Sequence, residues 1–344
     1  MPTIKDVAKI AGVSTATVSR AVAQPHKVSV KTRQKVEQAI QETGFTPNAT
    51  ARNLRRNESK AVIVIVPDIA NMFFADIVRG IQLVGQKHGY KVLLGDTMHT
   101  VERAEVYLEL ARSKQADGVI SLTSELPEQY RSGSDIPMVM ACEYFSDSSI
   151  PIVRIDNDEA AKKAIEYLVD LGHQDIGCIT GPMSNPICEA RKSGFVSAMS
   201  AANLHFDDAS FESGDFSFDS GYIAFNRLIK QKSMTALFCF NDMMTLGAMH
   251  AAEEAGIRIP EQLSIVGFDD LLFSQYSSPP ITTIKQPQKL IGETAMNVLI
   301  GLLTKGDAPK ETVIQTQLLV RKSSTTPGHI ASRRTSSTNS DVDN

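Results

Sequence analysis

Apolar positions along this chain recur first at helical spacing and later as short β-branched runs. Ile4, Val7, Ala8 and Ala11 share one helical face behind a Thr3–Asp6 capping pair. Gly12 interrupts the stripe, and Ser14 supplies a second N-cap. The helix it starts runs to about Val22, with Val18, Ala21 and Val22 facing inward and Thr15, Ala16, Thr17, Ser19 and Arg20 left outside. A third helix follows Ser29, buries Val36, Ala39 and Ile40, and ends at Gly44 ahead of Pro47. Three short helices with a glycine turn between the first two predict a helix-turn-helix, an all-α head over residues 1–46.

Beyond residue 60 the period changes. "AVIVIVP" (61–67) is an unbroken β-branched run, the pattern of a strand buried on both faces. A helix from about Phe73 to His88, "KVLLGD", a helix through "ERAEVYLELARSK", "DGVISL" and "PMVMA" complete a first block. A second block begins with a helix from Asn157 to Leu171. It continues through "DIGCITG", helices over 188–202 and 219–231, "TALFCF", a helix over 242–255 and "LSIVGFDD". This alternation predicts an α/β body of two doubly wound parallel-sheet lobes. A helix near 287–303 and a strand over 312–320 come late and return to complete both lobes. The body then spans 61–322, as 61–156 with 287–310 and 157–284 with 312–322. Residues 47–60 read as a hinge, and the Ser/Thr/Asn-rich stretch 323–344 as a disordered tail. Ligands of such sheets sit outside the carboxyl ends of the strands, so the cleft between the lobes is the expected site.

Composition narrows the class. Of 344 residues, 42% are hydrophobic and 22% charged, which are globular values. No apolar run approaches the roughly 18 residues of a membrane span, and "MPTIKDVAKI" has no signal core, so a cytoplasmic protein is expected. The four cysteines form no C-x-x-C pair and read as buried free thiols; no metal, phosphate-loop or hydrolase motif is present. No cofactor is expected. The net charge of −4 conceals an asymmetry, because residues 1–60 hold eleven Lys/Arg against four acids. That head carries +7 and the remainder −11, which points to a polyanionic partner at the N-terminus.

The small side chains of "VSTATVSRAV" suit that partner. A major groove admits a helix whose entering end is slim, and an arginine one turn on reaches a guanine edge or a phosphate. In "PNATARNLRRNESK" (47–60), about two helical turns are too short to persist alone in water, so ordering against DNA is expected. Leu54 is the large apolar residue among Arg52, Asn53, Arg55 and Arg56, a pattern that suits minor-groove insertion or packing on the body.

"TIKDVAKIAGVSTATVSRAV", "ARNLRRN", "GYKVLLGDT", "RIDN", "LGHQDIGCITGP", "SGFVSAM", "FCFNDMMTLGAMHAAEEAGIRIPEQLSIVGFDD" and "PPITTIKQP" together resemble the lactose/galactose repressor family over residues 2 to about 322. "RRNESKAVIVIVPDI", "FFADIVRGI" and "MVMACEYF" are most similar to its cytidine-responsive branch. The resemblance implies a transcriptional repressor, a homodimer on a near-palindromic double-stranded DNA operator, with a body like a type I periplasmic binding protein. It implies that Thr15, Ala16 and Arg20 read bases, that Thr3, Ser14, Thr17 and Ser29 contact phosphates, and that Leu54 and Arg55 enter the minor groove. In the cleft it implies apolar or stacking surface from Phe73, Phe74 and Phe216. Hydrogen bonds to a small-molecule effector would come from Arg191 and Asp269, assisted by Asn71, Glu143 and Asn241. The branch implies a nucleoside such as cytidine acting as inducer, and cooperation with the cyclic-AMP receptor protein on DNA. Asn185, Ile187 and Glu189 depart from the purine-responsive members, which argues against a purine. The tail lacks a leucine-rich helix, so a dimer rather than a tetramer is expected.

A sugar effector is the alternative, and a binding protein for transport or an enzyme acting in the cleft are the rival classes. The basic head speaks against transport, and no catalytic motif supports an enzyme. If Leu54 is a groove wedge, Leu54→Ala weakens operator binding in a shift assay and leaves effector affinity unchanged; equal operator affinity removes the wedge.

Overall fold

Val7, Val18 and Val36, one from each N-terminal helix, meet in a small core and are almost wholly inaccessible to water. The computed structural model describes residues 2–45, 58–130, 135–145 and 148–327, and the chain divides into two units between Ser59 and Lys60. In the first unit the helices are α1 (Ile4–Ala11), α2 (Thr15–Ala23) and α3 (Val30–Thr43). Asp6 accepts hydrogen bonds from the Thr3 amide and hydroxyl, both at 2.8 Å, and Ser14 and Ser29 accept from the amides of Thr17 and Thr32. Gly12 closes α1 in the left-handed conformation, φ +67°, which turns the chain directly into α2. Ile4, Val22 and Ile40 pack against this core half-buried. Leu54 and Arg55 lie outside the described residues.

The second unit holds two six-stranded sheets. The first contains β1 (Ala61–Val66), β2 (Lys91–Asp96), β3 (Gly118–Ser121), β4 (Met138–Ala141), β5 (Ile152–Ile155) and β11 (Glu311–Ile314), in the order β2-β1-β3-β4-β5-β11. Every pair is parallel. The second contains β6 (Ile176–Thr180), β7 (Phe211–Ser213), β8 (Ala236–Cys239), β9 (Ser264–Asp269), β10 (Thr282–Lys285) and β12 (Gln317–Leu319), ordered β7-β6-β8-β9-β10-β12. Here β12 alone runs antiparallel, against β10. In β1, buried along its whole length, helices cover both faces, as its β-branched run requires.

Helices α4 (Phe73–Lys87), α5 (Val101–Arg112) and α10 (Gln288–Lys305) cover the first sheet; α6 (Asn157–Asp170), α7 (Pro186–Ala201), α8 (Phe218–Gln231) and α9 (Asp242–Glu254) cover the second. Helices α4 and α10 cross at glycines. A Cβ on Gly80 would stand 2.2 Å from the Lys289 carbonyl oxygen, and one on Gly292 2.0 Å from that of Ile77. The chain passes between lobes three times, from β5 to α6, from β10 to α10 and from β11 to β12. All four cysteines are buried free thiols, and burial pushes Cys188 and Cys239 up to about 12.

Three expectations are corrected. The single strand over 312–320 is two, because its first half completes one sheet and its second half the other; residues 311–314 therefore belong with the first lobe. Strands β5, β7 and β10 went unread: β5 is interrupted by Arg154, β7 is a three-residue edge, and β10 is a short Thr-rich run beside prolines. The tail does not begin at 323. Ser323 is fully buried, and its hydroxyl accepts from the Thr282 amide at 2.8 Å and donates to the Ile265 carbonyl at 2.6 Å.

His173 anchors the same segment. Its Nε2 lies 2.8 Å from the Thr325 carbonyl, which can only accept, so Nε2 carries the proton and Nδ1 is left to accept from Thr235 Oγ1 at 2.9 Å. Burial pushes its pKa below the ordinary 6.5, against the Thr325 bond, which works the other way. Folding therefore favours the neutral ring. That contribution is complete above about pH 6.5 and is lost as pH falls from there through the folded value. Urea midpoints measured from pH 7.5 to 5 should fall less steeply in His173→Asn than in the parent; parallel curves contradict this anchor.

Candidate DNA-binding face and effector cleft

The head presents short side chains on a fixed frame. Thr15, Ala16 and Arg20 are all exposed on α2, with Thr17 half-buried behind them. Ser14 and Ser29 are exposed at the N-termini of α2 and α3, where backbone amides favour an anion. Each serine hydroxyl accepts an amide proton from its own helix and keeps its own proton free to be donated or shared with Thr17 or Thr32, both at 2.9 Å. Thr3 differs, because its hydroxyl proton is already given to Asp6. Those bonds to Thr3 hold the Asp6 carboxyl below its ordinary value.

In the body, helix N-termini and strand carboxyl ends converge on a cleft between the lobes. It brings together all eight of the residues expected there: Asn71, Phe73, Phe74, Glu143, Arg191, Phe216, Asn241 and Asp269. Local structure fixes most of them. Asn71 accepts from the Phe73 amide at 3.0 Å, ahead of α4, and the Phe73 and Phe74 rings meet edge-on at 5.3 Å. Asn241 caps α9 through the Met244 amide at 2.9 Å, while its Nδ2 donates to the Phe216 carbonyl at 2.8 Å. That bond holds Phe216 in the left-handed region, φ +71°.

The two buried charges are arranged less simply. Arg191 donates from Nε to Asn157 Oδ1 at 2.9 Å and from Nη1 to the Phe240 carbonyl, and its guanidinium lies 3.8 Å from the Phe268 ring centroid. Asp269 Oδ1 accepts from Gln286 Nε2 at 2.7 Å. The two side chains make no hydrogen bond or ion pair with each other and interact only through space. Burial pushes Asp269 well above the ordinary carboxylate range and Arg191 opposes it; burial likewise works against the charge on Arg191. Asp269 Oδ2 and Arg191 Nη2 have no hydrogen-bond partner among the described residues, which leaves an acceptor atom and a donor group for a ligand.

Glu143 is more fully engaged than a free ligand-holding group. Its Oε2 accepts from the amide and hydroxyl of Ser124 at 2.9 and 3.0 Å, and its Oε1 from Asn185 Nδ2 at 2.8 Å, across the cleft. Asn185 also caps α7, Ile187 lines the cleft, and Glu189 is exposed away from it. Sequence reasoning missed Cys142, Ile155, Asn157 and Gln286 as lining residues. Gln286 is placed by register: Lys285 pairs with Asp269 in the parallel β10–β9 ladder, so the next residue falls beside that carboxylate.

Residues 3–48 match the model for bacterial regulatory proteins of the lacI family, and residues 165–325 that for a periplasmic binding protein-like domain. The chain is 44% identical over 304 residues to the HTH-type transcriptional repressor CytR of Escherichia coli (strain K12), across 87% of this chain and 89% of that protein. The chain belongs to the lacI family. As a lacI-family member it is a DNA-binding transcriptional repressor and not an enzyme. It is also 35% identical over 316 residues to the repressor PurR of Vibrio atlanticus (strain LGP32), covering 90% of this chain and 94% of that one. Its fold matches the lac repressor dimer bound to operator and the anti-inducer ONPF with a TM-score of 0.84, at 29% identity over 94% of this chain and 98% of that one. No helix among the described residues is long and apolar enough to cross a membrane.

For a repressor with this head, log operator affinity should fall linearly with log salt, by roughly 0.9 per neutralised phosphate. Arg20→Ala should narrow the gap between a selected operator and random duplex by about 1–3 kcal/mol, as a base-reading arginine does. Shift assays at several salt concentrations check both; a flat salt response contradicts the DNA-binding face.

Proposed function

We propose that the cleft binds a nucleoside, with cytidine as the inducer, and that binding weakens the hold of the head on its operator. The observation that carries this reading is the 44% identity to CytR across 87% of the chain. The cleft chemistry supports it. Phe73 and Phe216 offer apolar faces suited to a ring, and Arg191 and Asp269 offer a buried donor and acceptor suited to ring edges and hydroxyls. Asn185, tied to Glu143, and Ile187 differ from the purine-responsive members, which favours a pyrimidine nucleoside over a purine base. A sugar effector is the second reading, because the Arg191–Asp269 edge also suits vicinal hydroxyls.

In this reading the base contacts are those of Thr15, Ala16 and Arg20, and the phosphate contacts those of Ser14, Thr17, Ser29 and Thr3. The working form is a homodimer. Two exposed apolar strips support that: Leu93 and Leu94 on the edge strand β2, and Leu272 and Tyr276, 64% and 76% exposed, after β9. Two linked half-sites multiply operator affinity through effective concentration. Joint binding with the cyclic-AMP receptor protein and work in the cytoplasm, where the DNA is, belong to the same reading.

Calorimetry with cytidine, cytosine, ribose and adenosine tests the reading. Asp269→Ala should lower cytidine affinity at least tenfold, about 1.4 kcal/mol, while the operator complex still forms and no longer responds to cytidine. Unchanged cytidine affinity in that variant, or ribose binding as tightly as cytidine to the parent, overturns it.

A further inference from the structure

Asp269 is held by more than its cleft neighbours. It closes β9 with φ +114°, and Asp270 follows at φ +60°, two consecutive non-glycine residues in conformations that L side chains rarely adopt. Arg321 holds Asp270 and Asp242 accepts from the Leu271 amide, while the hold on Asp269 comes from the second crossover between lobes. The Gln286 amide donates to the Asp269 carbonyl at 3.3 Å, and Gln286 Nε2 donates to Oδ1 at 2.7 Å. Gln288 Nε2 donates to the same carbonyl at 2.6 Å. Gln288 is also the first residue of α10, the helix that rides on α4 at the Gly80–Gly292 crossing. Helix α4 opens with Phe73 and Phe74, on the opposite wall of the cleft.

We propose that Gln286 and Gln288 form a clamp that couples occupancy of Asp269 to the packing of α10 against α4, and that Gln288 is the positioning residue in that coupling. The inference rests on the reading of the cleft as the effector site. A ligand that hydrogen-bonds Asp269 Oδ2 changes where this carboxylate sits best, and the clamp transmits that preference to the crossover. Neutral amides suit the task. Gln286 donates to Oδ1 and Gln288 to the backbone carbonyl, which leaves Oδ2 open to the ligand. The close glycine contact leaves α10 little room to slide independently of α4, so a shift at residue 288 is passed on as a rigid movement.

Gln288 does not line the cleft, so its replacement tests coupling separately from binding. In Gln288→Ala and in Gln288→Glu, which keeps the length but loses the donor, cytidine affinity by calorimetry and ligand-free operator affinity should stay within about threefold of the parent. The cytidine-induced change in operator affinity should fall to less than a third of the parent value. Gln288→Lys, which restores a donor, should recover part of it. A residue that only stabilises the fold would not produce this split between binding and response. A full cytidine response in both Ala and Glu variants overturns the clamp.

Hydrogen exchange of the ligand-free protein judges the clamp apart from the nucleoside. In Gln288→Ala, exchange should rise at least tenfold in peptides covering 266–272 and 288–294, with the rest of the body unchanged. Unchanged exchange there overturns the clamp whatever the effector. Failure of the parent to bind cytidine, with that rise present, overturns the nucleoside reading and supports the clamp.

Discussion

A carboxylate and a guanidinium buried in one cleft without touching each other set the terms for the rest of the body. Removing either charge from water is unfavourable, and a direct ion pair would be the obvious compensation. Here Asn157 and the Phe240 carbonyl hold Arg191 on one side, and Gln286 holds Asp269 on the other. Each charge is partly satisfied and keeps one hydrogen-bonding atom over. A ligand that donates to Asp269 and accepts from Arg191 forms those bonds in a setting of low water access, where each is electrostatically stronger than on an open surface. Both side chains come from the second lobe, Arg191 from α7 and Asp269 from the end of β9, so one wall of the cleft carries both. The Glu143–Asn185 bond adds a link between opposite walls.

The head solves a different problem with little material. Its core is a handful of valines and alanines, and its outer face is made of hydroxyls, methyls and one arginine on α2. Capping serves both stability and recognition there. Ser14 and Ser29 satisfy helix amides while keeping a proton to offer a phosphate; Thr3 spends its proton on Asp6. In the proposed reading, charge supplies affinity for any duplex, and the slim end of α2 with Arg20 supplies discrimination.

Periodicity made the helices and the long buried strands legible, because a helical stripe or a run such as 61–66 admits few readings. It failed where a strand is short and its pairing is decided at long range. Nothing local in "IVRI" says that Arg154 can lie in a strand whose guanidinium reaches Glu311 and the Tyr144 ring. Nothing local in residues 311–319 says where one sheet hands over to the other. The cleft was legible through its family motifs, so Arg191 and Asp269 stood out. Gln286, Asn157 and the Glu143–Asn185 link depend on register and on the approach of two lobes, which appear only once the chain is folded. The C-terminal segment misled for a related reason: its serines and threonines look solvated, yet Ser323 and Thr325 exchange hydrogen bonds with Ser264, Ile265 and Thr282 inside the second lobe.

The central claim is that one small molecule in the cleft and one operator on the head are thermodynamically linked. The most direct measurement titrates cytidine into a complex of the full chain with a fluorescent operator, following anisotropy and heat on matched samples. The account predicts that the operator is released, with a midpoint that rises as operator concentration rises. Cytidine binding that leaves the anisotropy unchanged at saturation contradicts it.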